Sequence, residues 1–100
     1  MILGHETTGT LNNAQYNTAV GLTALDAITS GDWNTAIGYS ALGANTEGEN
    51  NVAIGRALEA NTSGDDNTAV GAFAMQSNVS GNSNTAVGYG ALLDLSLIHI

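Results

Sequence analysis

Apolar and polar positions alternate along this chain in a short pattern that returns with a long period. Asn17–Gly21 reads NTAVG, Asn34–Gly38 reads NTAIG, Asn51–Gly55 reads NVAIG, and Asn67–Gly71 and Asn84–Gly88 both read NTAVG. The closing glycines are spaced by 17, 17, 16 and 17 residues, and Ile2, Leu3 and Gly4 stand another 17 upstream. An Ala-Leu or Ala-Met pair follows each pentamer, at Ala24 and Leu25, Ala41 and Leu42, Ala57 and Leu58, Ala74 and Met75, and Ala91 and Leu92. A polar turn then carries Gly31, Gly48, Gly64 or Gly81, each three residues before the next Asn. Such a unit cannot bury its own face, and stacking on its neighbours supplies the missing partner. The 16-residue unit loses its residue between Gly55 and Ala57, in a loop, so the phase of the pentamers survives.

The pattern predicts strand and turn. Its apolar runs are too short for helices, and a Gly in every unit breaks any helix that would run through. Alternation puts Val20, Ile37, Ile54, Val70 and Val87 on one face and the neighbouring Ala and Gly residues on the other. The expectation is an inner ladder of these branched residues, closed from a second strand by Leu25, Leu42, Leu58, Met75 and Leu92. The Ala/Gly face would then let another chain approach closely. The column Asn17, Asn34, Asn51, Asn67 and Asn84 is expected to hydrogen-bond from coil to coil or to hold the turn before each strand. Gly and Asn are expected to fill the left-handed backbone positions of the turns.

Charge narrows the partners. One basic residue, Arg56, stands against nine acids, for a net charge of -8. Such a chain is repelled by nucleic acid and by an anionic membrane surface, so neither is expected as a partner. Cysteine is absent, which excludes disulfides and thiolate metal sites. No stretch reads as a secretory signal or reaches membrane-spanning length. An isolated core of this size is marginal, so trimerisation or capping coils are implied.

No catalytic constellation is legible, and the chain is not expected to be an enzyme or to hold a cofactor or metal. Its histidines, His5 and His99, lie at the two ends, and there is no serine elbow, phosphate loop, EF-hand or zinc spacing. Turn acids Asp32, Glu47, Glu49, Asp65 and Asp66 could gather oxygens for Ca²⁺, but the calcium-binding nonapeptide pattern is missing and solvated acids are the ordinary reading. A glycosidase would need two carboxylates facing a groove with an aromatic platform. An acyltransferase coil would need an aliphatic residue every six positions. An ice-binding face would need paired Thr columns, whereas Thr18, Thr35, Thr68 and Thr85 form one column that Val52 interrupts.

The repeats resemble the head domain of trimeric autotransporter adhesins, the YadA-like family, whose unit runs N-[ST]-[VT]-A-[IV]-G; Asn51–Gly55 fits it best, and the NTAVG and NTAIG forms contract one position. The resemblance covers residues 1–94 and implies an all-β, left-handed parallel β-roll of about five coils, intertwined as a homotrimer. It further implies a non-enzymatic adhesive module at the cell surface, anchored in the outer membrane through other regions and attached to a host surface protein or glycan. Gly38–Leu42 and Gly88–Leu92 also look like repeats of phage tail fibres, which would make the chain a virion shaft or head segment facing a bacterial receptor. Trp33, Tyr39, Phe73 and Tyr89 are the candidate contact residues, since large side chains at otherwise polar positions provide anchor area; Tyr39, Phe73 and Tyr89 could equally cover a neighbouring chain. Residues 95–100 break the repeat phase and resemble the translated end of a transposase adaptor, so they are expected to be a non-native tail.

Overall fold

Six very short strands, β1 (Ile2–Leu3), β2 (Thr18–Val20), β3 (Thr35–Ile37), β4 (Val52–Ile54), β5 (Thr68–Val70) and β6 (Thr85–Val87), form one parallel sheet in chain order. This computed structural model describes residues 2, 3 and 14–93; His5, His99 and the segment 95–100 lie outside them. The register is the sequence repeat itself. Ala19 lies opposite Ala36, Ala36 opposite Ala53, Ala53 opposite Ala69 and Ala69 opposite Ala86. The shortened unit leaves this unchanged, with Ile54 opposite Val70. Among the described residues there is no helix, and the chain between strands is turn and bend. The molecule is an all-β parallel solenoid in which each repeat is one coil.

The alternation of the strands holds, but the inward side is the opposite of the one expected. Ala19, Ala36, Ala53 and Ala69 are fully buried and Ala86 nearly so. Val20 and Val70 are half-buried on the outer surface, while Ile37, Ile54 and Val87 are 39%, 38% and 68% exposed. The branched column is therefore no inner ladder, and the Ala column is no seam between chains. Cross-section is the reason: the stack measures 33 × 21 × 16 Å, so its interior is only a side chain or two thick. Leu25, Leu42, Leu58 and Met75 enter from the far wall, fully buried beside Ala24, Ala41, Ala57 and Ala74. Opposite them only a methyl group fits at packing density, and the branched residues go outward, where a pleated strand still favours them. Leu92, in the last described coil, is half-buried against this core.

The narrow coil also dictates its corners. Leu25, Leu42, Leu58, Leu92 and Met75 sit in the left-handed region with φ of 48 to 52°, as do Tyr16, Trp33, Asn50, Asp66 and Ser83 at 56 to 61°. Asn50 fills one of these positions as expected, and Gly21, Gly38, Gly55, Gly71 and Gly88 also have positive φ, but most corners go to side chains that must point inward or outward, at a local cost of about 1 to 2 kcal/mol each. The turn glycines have a different role. A Cβ at Gly31 would collide with the Gly48 carbonyl oxygen, and at Gly48 with that of Gly64. There the backbone of the next coil lies too close for any side chain.

Two columns of buried asparagine join the coils. The Asn34 Oδ1 accepts the backbone N–H of Asn51 at 3.0 Å, Asn51 does the same for Asn67 at 2.9 Å, and Asn67 for Asn84 at 3.0 Å. Their Nδ2 groups donate to the turn carbonyls of the next coil, Asn34 to Gly48 and Asn51 to Gly64, at 2.8 and 2.7 Å. The second column is Asn45, Asn61 and Asn78, linked amide to amide at 2.9 and 2.8 Å. Asn45 and Asn61 donate to the same Gly48 and Gly64 oxygens at 3.0 and 3.1 Å. Asn51 and Asn61 use both amide donors and the amide oxygen, which makes their burial tolerable.

Candidate functional site

Each strand from β2 to β6 turns two side chains outward. They are Thr18 and Val20, Thr35 and Ile37, Val52 and Ile54, Thr68 and Val70, and Thr85 and Val87, stacked in register. No charge falls on any of these positions, although the chain carries -8. The turn acids that surround them in sequence are partly committed to the fold. The Asp32 Oδ1 accepts the Gln15 N–H at 2.7 Å, and the Asp65 Oδ1 accepts the Glu49 N–H at 2.8 Å. Among the described residues no three His, Cys, Asp or Glu side chains gather into a possible metal site.

The four candidate contact aromatics fall into two groups. Trp33 stacks on Tyr16 of the preceding coil, with ring centroids 5.5 Å apart and planes within 9°. Tyr39, Phe73 and Tyr89 belong to a separate column on the other side of the strands. Its centre is Arg56, whose guanidinium carbon lies 5.3 Å from the Tyr39 ring centroid and 5.6 Å from that of Phe73. Phe73 meets Tyr89 edge to face at 5.7 Å. Tyr39 is 53% exposed and Tyr89 80%. Arg56 also grips Glu59 through two hydrogen bonds, Nε to Oε2 at 2.7 Å and Nη2 to Oε1 at 3.1 Å. That pairing holds the Glu59 carboxyl below the usual carboxylate range, and Glu59 in turn raises the guanidinium above its own.

No family model, curated protein or solved structure matches the chain.

Beside this column lies a shallow groove of about 300 Å³, lined by Thr23, Asp26, Tyr39, Ser40, Gly43, Ala44 and Glu59. The repeat explains it. Asp26, Gly43, Glu59 and Gln76 occupy equivalent places in successive coils, and the missing side chain at Gly43 leaves a gap between two carboxylates. Thr23 and Ser40, equivalent residues of adjacent coils, share a hydrogen bond of 2.8 Å at its edge. Sequence reasoning singled out Tyr39 but neither Arg56, Glu59 nor Gly43 as neighbours of it. The available signal was the deletion between Gly55 and Ala57, which marks the one shortened unit, where Arg56 also stands.

Proposed function

We propose that the chain is a non-enzymatic structural and adhesive module, a rigid stack that assembles as a homotrimer and presents its turn residues and aromatics to a host surface protein or glycan. The observation that supports this most is the uncharged outer face of β2 to β6 on an otherwise acidic chain. Two like-charged copies approach each other at least electrostatic cost where neither carries charge, and partly exposed Val and Ile give that contact an apolar gain. The seam between copies is the Val/Ile and Thr face, in place of the Ala/Gly face, which the coil itself consumes. The resemblance of the repeats to adhesin heads supports three copies rather than two, and a cell-surface location through regions outside this sequence. Gly38–Leu42 and Gly88–Leu92 favour a second reading, a segment of a phage tail fibre.

Light scattering over a range of concentrations tests the assembly. The chain should reach three times its monomer mass, and an Ile37→Lys, Ile54→Lys double variant should remain folded and monomeric. A wild-type monomer at every concentration, or a double variant that assembles unchanged, would contradict the proposal.

A further inference from the structure

The groove at Gly43 departs from the repeat in several ways at once. In a stack whose coils are near copies, stability accounts for what recurs, so irregular positions that converge on one spot call for a separate reason. The residue between Asp26 and Glu59 in their column is Gly43, the one position of that column without a side chain among the described residues. Tyr39 flanks the gap with a half-exposed ring, the adjacent coil is the shortened one, and the chain's only cation holds Glu59 in place from there. Asp26 and Glu59 lie two coils apart, a span of about 10 Å at a rise of ~4.8 Å per coil. The groove therefore has a carboxylate at each end, that of Glu59 already bonded to Arg56 and Gln76, a hydroxyl pair at its edge and an aromatic ring on its wall.

We infer that this groove is a subsite for an uncharged saccharide ring. A pyranose is a flat disc with an apolar face for an aromatic ring and hydroxyls around its rim, which donate to carboxylates and exchange hydrogen bonds with Thr23 and Ser40. Anionic sugars are excluded by Asp26, Glu59 and the net charge of -8. The Arg56 pairing leaves Glu59 ionised as an acceptor and fixes its direction, and the Gln76 Nε2, 3.4 Å from its Oε2, adds to that. The inference rests on the adhesive reading and names the ligand chemistry for it.

The test uses the full chain and three probes: lactose, triacetylchitotriose and 3′-sialyllactose. Amide shifts in a ¹H–¹⁵N titration should follow one of the two neutral probes and centre on residues 22–26, 39–44 and 56–60, with no response to the sialylated one. Tyr39→Ala should weaken binding at least about tenfold. Gly43→Gln should abolish it by filling the gap; its Cβ would stand 3.1 Å from the Ser40 carbonyl oxygen, so urea unfolding of the variant is measured beside its binding. Absence of shifts with both neutral probes at millimolar concentration overturns the inference, as does binding that survives Gly43→Gln in a variant with wild-type unfolding. Adhesion of protein-coated beads to untreated cells separates the two levels: if beads adhere while neither neutral sugar binds, the adhesive reading stands without the saccharide; if neither beads nor sugars bind, both fail.

Discussion

Gly38 and Gly88 share a backbone conformation, with φ of 130° and 125°, and differ in what surrounds them. A Cβ at Gly38 would sit 2.7 Å from the Gly55 oxygen, whereas one at Gly88 would meet nothing within 4 Å. Alanine at either position suffers the positive φ, and at Gly38 it must also displace the next coil. Urea unfolding of Gly38→Ala should therefore show a loss exceeding that of Gly88→Ala by about 1 to 3 kcal/mol, the ordinary cost of overpacking. Equal losses would mean that conformation alone explains the glycine column. The repeat made these glycines legible as a requirement, but left the kind of requirement undecided. At Gly31, Gly48, Gly64 and Gly81 the answer was proximity and not φ, because the left-handed corners beside them went to Tyr16, Trp33, Asn50, Asp66 and Ser83 and to the Leu and Met column.

At the scale of the coil, the asparagine columns serve as the rungs between repeats. Removing the Asn51 amide leaves the Asn67 N–H without its acceptor, while the Gly64 carbonyl keeps its bond from Asn61. Asn51→Ala should thus lower stability by about 1 to 3 kcal/mol, the cost of one stranded buried donor with the lost packing. Ser63→Ala, on the exposed turn of the same coil, should stay within about 0.5 kcal/mol of wild type. Thermal or urea unfolding decides it, and an Asn51→Ala protein as stable as the Ser63→Ala protein would refute the rung. The first column was readable because it opens every pentamer. The second was hidden by Ile28, which is fully buried at the place where later coils have Asn45, Asn61 and Asn78; each of those stands three residues before a turn glycine, a spacing that could have revealed it.

For the whole molecule, the repeat was enough to establish a parallel stack with its register, strand positions and one loop deletion, since in-phase spacing and short alternating runs admit little else. It was not enough to establish which face is enclosed. Alternation defines two faces and is silent on the width between walls, and hydrophobicity alone pointed to Val and Ile. Width decided otherwise: Leu and Met from the far wall leave space for alanine only. At the groove, the alignment of Asp26, Gly43 and Glu59 stands in the repeat, but the repeat does not say that these positions and Tyr39 line one surface.

The most direct test of this inside-out arrangement uses the chain's lack of cysteine. Single variants Ala53→Cys and Ile54→Cys place a thiol at adjacent positions of β4, and the measurement is the rate of thiol labelling in dilute native protein and across a concentration series. The thiol at 54 should react rapidly when dilute and become protected only as copies associate, while the thiol at 53 should stay protected at every concentration until denaturant opens the coil. A reactive thiol at 53, with one at 54 protected even in dilute protein, would place the branched column inside and contradict the account.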